Sequence, residues 1–495
     1  MTITGLLDQG PDAQRAMVVP EGPTLSYAGL RDLTSETIHQ LSALGMKPGD
    51  RVAIVLPRGA DAIAMFLAVA QVATACPMNS AYTEGEFRFY LDDTGATFLV
   101  VPPGGAGEAR RAFGERGPVI DAALDRQGRM VLETSSLPQG VLPATAPDRN
   151  DIALVLHTSG TTSRPKRVPL RHRNLMASVD NIVRHYGLGP DDVSLCVMPL
   201  FHIHGLVCAL ATLASGGTAV VPPVFSPMGF WPVAREARPT WFTASPTPHQ
   251  FILMRTTADR PPGTERLRFV RSCSAALSPT QMARMEARFG VPVLQAYGMT
   301  EASHHIASNP LPPGQRVPGS VGLGTGVEIA ILDDAGGPRE PGRNGEVAIR
   351  GPNVIDGYED NPQANAASFT AGWFRTGDIG TIGGDGYLTL LGRIKELINR
   401  AGEKISPREI DEVLESHPAV EEAVCFGIPH ETWGEEVAAA VVLREPQKTE
   451  ELVRYCRARL AEFKVPRRIY IVESIPRTPT GKVQRRFVAE QFLAR

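Results

Sequence analysis

Short apolar runs alternate along this chain with longer stretches of helix-like character, and no other feature narrows the choice of folds as far. The runs at 51–56, 97–101 and 218–221 are apolar almost throughout rather than at every second residue, as strands covered on both faces require. Residues 27–44 and 174–186 read as helices between such strands. The longest apolar run, 62–76, contains Gln71 and is too short to span a bilayer. It reads as a buried helix running into a strand, and the whole pattern specifies an α/β architecture.

At 495 residues, 43% of them hydrophobic, the chain can bury a large core and is expected to form more than one domain. A net charge of -3, with no basic stripe interleaved with aromatics, argues against nucleic acid as partner and for a small ligand. Cys76, Cys196, Cys208, Cys273, Cys425 and Cys456 form no CxxC pair, which suits reduced thiols in a cytoplasmic protein and not a zinc site. The N-terminus lacks a basic segment followed by a long apolar stretch, so no secretion signal is expected. Proline- and glycine-rich joints at 102–107, 137–148 and 333–345 read as loops inside one large unit. The boundary falls at Gly392-Arg393-Ile394-Lys395-Glu396, which gives domains of 1–393 and 394–495 with a hinge near Lys395.

Directly after the apolar stretch Ile152-Ala153-Leu154-Val155-Leu156 the chain reads Thr-Ser-Gly-Thr-Thr-Ser-Arg-Pro-Lys. Thr158, Ser159, Thr161 and Thr162 offer hydroxyl donors, Gly160 allows close backbone approach, and Lys166 supplies charge: together, a phosphate cradle. The GxxxxGK[ST] spacing of the common nucleotide-triphosphatase loop is absent. Downstream, Gln295-Ala296-Tyr297-Gly298-Met299-Thr300-Glu301 sets an aromatic face, a hydroxyl and a carboxylate close together. These residues suit a base, a phosphate and Mg²⁺, or equally a core tyrosine beside a capped helix start. Asp378 follows a glycine turn, as a ribose-binding carboxylate or an ordinary turn aspartate does. Lys482 stands at the tip of a loop bounded by proline and glycine, where a lone lysine usually serves solubility.

Present together and in this order over nearly the whole chain, these segments resemble the adenylate-forming superfamily of acyl-CoA synthetases, peptide-synthetase adenylation domains and beetle luciferases. The resemblance implies a large multi-subdomain N-terminal adenylate-forming domain and a small, mobile α+β C-terminal lid domain. It implies ATP and AMP as nucleotides, Mg²⁺ held by Glu301, and coenzyme A as acceptor, in an enzyme that is a monomer or homodimer with no membrane span. Ser274, Ala275, Ala276, Gln295, Ala296 and Tyr297 then meet the nucleotide with Thr158 to Lys166, and Thr300 assists at the phosphates. Asp378 and Arg393 take the ribose, and Lys482 drives adenylation. The lid then swings about its hinge and brings in Gly402, past which a pantetheine arm can run. Ser163 and Arg167 depart from the usual loop, where glycine is common.

The same resemblance places the acid between Pro199-Leu200-Phe201-His202-Ile203-His204-Gly205, the Ser272-Cys273-Ser274 loop and the stretch after Glu301. His202, His204, Ser272, Ser274, His304 and His305 make that lining polar and small, unsuited to a long acyl chain whose methylenes would strand polar groups. The wording of Phe201 to Gly205, Trp241-Phe242-Thr243-Ala244, Arg271 to Ala275 and Ser308-Asn309-Pro310-Leu311-Pro312 resembles that of oxalate–CoA ligases of plants and fungi. The expectation is therefore an AMP-forming acid–CoA ligase for oxalate. An amide-bond-forming adenylase, or a ligase for another small, aryl or medium-chain acid, is the alternative.

Overall fold

The computed structural model describes residues 2–57, 59–134, 146–158, 165–256, 258–477 and 483–493. Four sheets organise them. In the largest, six strands run parallel: Arg15–Val18, Thr218–Val220, Val193–Cys196, Trp241–Ala244, Phe269–Ser272 and Val293–Met299, in that spatial order. Antiparallel strands close both edges, Thr24–Ser26 at one and His304–Ser308 followed by Leu323–Gly324 at the other. A second sheet sets Val119–Leu124, Phe98–Val101, Arg51–Ile54, Thr74–Pro77 and Ile152–His157 parallel, with Met130–Glu133 and Arg167–Arg171 antiparallel at its edges.

The run at 62–76 lies where its composition put it: helix Gly59–Val72 is almost wholly buried and leads into Thr74–Pro77. The helix expected at 27–44 is Tyr27–Ala43, with Leu44 as its C-cap. The helix expected at 174–186 begins earlier, as His172–Tyr186, because the Asn174 side chain turns back to accept from the Arg171 N–H at 3.0 Å and so caps the first turn. The joint at 102–107 leads into helix Gly107–Phe113, and 333–345 is a turn between paired strands Glu328–Leu332 and Gly345–Arg350. Most of the 137–148 joint lies outside the described residues. Among the described residues no helix is long and apolar enough to cross a membrane.

A third, antiparallel sheet holds Glu328–Leu332, Gly345–Arg350, Trp373–Ile382, Phe369–Thr370 and Leu388–Arg393. After Arg393 the chain makes one short turn, Ile394–Glu396, and enters the fourth sheet at Ile398–Arg400. This smaller sheet owns its core. Val420, Ala423 and Cys425 face helices Pro407–Glu415 and Thr449–Arg457, while Val424, Phe426 and Ile428 face helix Arg485–Leu493. The molecule is thus an α/β enzyme fold with a large N-terminal body and a small C-terminal one.

Polar contacts join the two bodies. Arg408 donates to Leu390 O at 2.8 Å and to Gly319 O at 3.4 Å, and Arg477 Nη1 donates to Thr247 Oγ1. Glu415 meets the Ser278 hydroxyl across the same interface, and its carboxyl is pushed up to about 8, by burial first and then by Asp411. A carboxyl raised in this way keeps its proton in the folded state. Its stabilisation is complete below the ordinary glutamate range and is lost as pH rises through about 8. Glu415→Gln is therefore expected to blunt the loss of melting temperature expected of the unaltered chain between about pH 4.5 and about pH 8, measured by thermal scans.

Candidate active site

The carboxyl ends of the parallel strands gather the motifs, as crevices in such sheets do. Strand Ile152–His157 pairs antiparallel with Arg167–Arg171, His157 opposite Arg167, which brings the two ends of the 158–166 segment together. Its ends are pinned: Thr158 N–H donates to Lys166 O at 3.0 Å, and Lys166 N–H donates to Thr158 Oγ1 at 3.2 Å. Ser159, Gly160, Thr161 and Thr162 lie outside the described residues, as does Lys482.

Arg167, one of the two departures in this loop, anchors its exit. The guanidinium pairs with Glu359 at 3.1 Å and with Asp360, while Arg51 holds Glu359 from the other side at 2.8 Å. That clamp fixes Tyr358, whose ring lies 4.2 Å from Lys166 Nζ and whose hydroxyl donates to Glu301 Oε1 at 2.8 Å. Lys166, Tyr358 and Glu301 therefore form one cluster. Burial lowers the Lys166 ammonium from its ordinary range, against the pull of Glu301 and with the push of Lys395. Burial and the Glu301 carboxylate both raise the Tyr358 hydroxyl. A buried carboxylate beside a cation fits a phosphate-bound hard metal ion, since Mg²⁺ takes oxygen ligands.

A second cluster lies on the antiparallel sheet. Asp378 stands opposite Arg393 in register, their side chains pair at 3.0 Å, and the Tyr297 hydroxyl donates to the other carboxylate oxygen. Burial and Asp378 hold the Tyr297 hydroxyl well above its usual range, and Asp378 raises Arg393. Gln295 and Ala296 precede Tyr297 on the same strand, both buried. Ala275 and Ala276 are exposed just beyond strand Phe269–Ser272, and Thr300 is half-buried at the start of the turn Thr300–Ala302.

The third cluster is the acid pocket of the sequence reading. His204 Nδ1 lies 2.9 Å from Ser274 Oγ, its Nε2 lies 2.7 Å from Thr243 Oγ1, and its ring stacks on His304 with centroids 4.6 Å apart. Two backbone features set this up. Ser303 and His304 adopt left-handed conformations, φ +49° and +89°, tied by Asn353 Nδ2 to Ala302 O and His305 O at 2.8 Å each. Gly298 passes so close that an added Cβ would lie 1.6 Å from His304 O. His202 stands just before helix Ile203–Ala214 without a side-chain cap bond to it, half-buried with its ring 4.6 Å from that of Phe201.

Two expected residues stand elsewhere. Ser272 is fully buried with its hydroxyl unpartnered, on the opposite face of its strand from Arg271, because adjacent strand residues alternate. Gly402, φ +91°, is exposed at the turn between Ile398–Arg400 and Glu403–Ile405, apart from the gathered clusters in this arrangement of the two bodies.

The structure also recruits Tyr358 and Arg271. Arg271 is fully buried beneath His204, its Nη1 3.3 Å from His204 Nε2, and burial with this guanidinium holds His305 well below the usual imidazole range. A charged residue inside the buried strand Phe-Val-Arg-Ser is a legible signal; Tyr358, outside any helix or strand, has none. His204, Cys208 and His304 bring ligand atoms within 4.8 Å of one another, but Arg271 reaches both His204 and Cys208, so the cluster favours an anion over a cation.

Residues 8–359 match the family model described as AMP-binding enzyme, and 409–482 match the AMP-binding enzyme C-terminal domain. The chain is 47% identical to an oxalate–CoA ligase of Arabidopsis thaliana, covering 99% of each chain. It is 43% identical to an oxalate–CoA ligase of Saccharomyces cerevisiae, over 96% of this chain and 94% of that one. Among solved structures, ATP-bound MatB from Rhodopseudomonas palustris superposes with a TM-score of 0.89 at 30% identity, over 100% of this chain and 99% of that one.

Proposed function

The chain belongs to the AMP-binding enzyme family as an AMP-forming acid–CoA ligase, and from that premise we propose that its acid is oxalate. One carboxylate of the acid attacks the α-phosphorus of ATP and expels pyrophosphate; the CoA thiol then displaces AMP from the acyl-adenylate. Two anions must meet in the first step, so the residues act by positioning and by neutralising charge. Thr158 and Lys166, with Ser159, Gly160, Thr161 and Thr162, receive the phosphates, and Asp378 with Arg393 and Tyr297 holds the ribose. Ser274, Ala275, Ala276, Gln295 and Ala296 border the adenine, and Thr300 reaches the phosphates. Glu301 would hold Mg²⁺, which supplies further positive charge at the phosphates when bound. Lys482 bridges acid and nucleotide, the hinge lies at Lys395, and Gly402 replaces Lys482 for the thiol step. Six free cysteines, five of them buried, support a reducing cytoplasmic location.

The observation that carries the substrate choice is the Ser274, His204 and His304 cluster resting on a buried guanidinium. Beside methylenes each such polar group would cost roughly 1–3 kcal/mol, whereas a second carboxylate takes up their hydrogen bonds. A panel of oxalate, malonate, succinate, acetate, medium-chain and aryl acids with ATP, Mg²⁺ and CoA, read by AMP release, tests this. Oxalate is expected to give the highest kcat/KM. Turnover of aryl or medium-chain acids with none of oxalate overturns it, and an arm with amines in place of CoA identifies the acceptor.

A further inference from the structure

Beneath the acid pocket lies a positive charge that no carboxylate balances among the described residues. Arg271 is 0% exposed. Its Nε donates to Tyr186 Oη at 2.8 Å, its Nη1 to Thr243 Oγ1 at 3.2 Å and its Nη2 to His305 Nδ1 at 3.2 Å, all neutral partners. Among the described residues no aspartate or glutamate side chain hydrogen-bonds to it. A buried charge left in this state is expensive, and a guanidinium does not shed its proton to escape.

Because a guanidinium only donates, it dictates the direction of the hydrogen bonds above it. His204 Nε2 faces Nη1 at 3.3 Å and Thr243 Oγ1 at 2.7 Å, and must accept. The neutral imidazole then carries its proton on Nδ1 and donates it to Ser274 Oγ at 2.9 Å. Ser274, having accepted, keeps its own hydroxyl proton available to donate to an anion.

We propose that Arg271 is the positioning residue for the acid: it orders Thr243, His204 and Ser274 into a chain that ends in a donor, and its charge is balanced by the substrate's second carboxylate. The inference rests on the oxalate reading. Oxalate, with carboxylates on adjacent carbons, presents that second charge next to the reacting one, where a monocarboxylate presents none.

The groups facing His204 fit this arrangement. His304 stacks on it, Cys208 projects from its own helix, and His305 and Tyr186 lie across Arg271. Burial pushes the Cys208 thiol up to about 11 and holds His305 well below its usual range, so neither of these two rivals Arg271 as a charge beneath His204.

Arg271→Met tests the assignment through steady-state kinetics with oxalate. At pH 8 the KM for oxalate is expected to rise about 10- to 100-fold, the worth of a charge-assisted hydrogen bond, with the KM for ATP little changed. Toward pH 6 the variant's His204, relieved of the guanidinium, takes a proton, and the oxalate KM falls back while that of the unaltered enzyme stays level. Arg271→Lys is expected to retain part of the affinity. An unchanged oxalate KM, or a rise equal at both pH values, overturns the proposal. Should Arg271→Met not fold, calorimetry of oxalate binding to the unaltered enzyme in buffers of different ionisation enthalpy decides: no net proton uptake at neutral pH is expected, and uptake of about one proton refutes the fixed neutral His204. If the unaltered enzyme gives no AMP with oxalate, the substrate reading falls and this inference with it. If it does, yet the variant's KM is unmoved, this inference alone falls.

Discussion

Lys482→Ala is expected to cut adenylate formation by about two to three orders of magnitude while ATP binding persists. A cation about 4 Å from the reacting oxygens, in an effective dielectric near 20, is worth on the order of 4 kcal/mol. Fully expressed at the transition state, that is roughly a thousandfold in rate. Lys482 itself lies outside the described residues, but the chain on either side of it is placed. Arg477 and Val483 pair as an antiparallel bridge, and Arg477 donates to Thr247 in the first turn of helix Pro246–Leu253. That helix starts at the carboxyl end of strand Trp241–Ala244, whose Thr243 touches His204. Arg477, just before the Lys482 segment, is thereby held next to the strand end that carries Thr243. ATP–pyrophosphate exchange with oxalate measures the effect, and near-normal exchange in the variant would remove Lys482 from the chemistry. Supplied with preformed oxalyl-adenylate, the variant should still transfer the acyl group to CoA, since in the proposed mechanism this lysine serves only the first step.

Asp378→Ala should raise the KM for ATP by about a hundredfold or more, because two hydroxyl hydrogen bonds to an ionised acceptor are worth about 1.5–3 kcal/mol each. The carboxylate is 5% exposed and already holds Tyr297 and Arg393. Its removal strips both of their partner and, on the proposed reading, takes away the ribose acceptor. Titration with ATP and a melting curve separate the two consequences. An ATP affinity like that of the unaltered enzyme, in a folded variant, would exclude Asp378 from the nucleotide site. Asp378→Asn, which keeps the volume and loses the charge, should lie between.

Local composition foretold the strands and helices well, since a run buried on both faces must be apolar throughout, and 62–76 became a helix entering a strand. The grouping of Tyr297 with Asp378 was legible as a resemblance alone, because 81 residues separate the two and only sheet register brings Asp378 opposite Arg393. Tyr358 was not legible at all. Its place depends on Glu359 being held between Arg51 and Arg167, a contact spanning 308 residues on the Arg51 side. Ser272 misled because a serine near a pocket motif says nothing of which face of the strand it occupies.

The rung that joins Asp378 to Arg393 is the last of its sheet before the chain turns through Ile394–Glu396 toward the small body. In the proposed cycle, a rotation of that body about Lys395 would begin just beyond the rung assigned to the ribose. On that reading, discharge of spent nucleotide and recocking of the enzyme for its next turnover would be geared to a single pivot, so a strand stiffened at this rung should slow the whole cycle without altering either half-reaction measured alone.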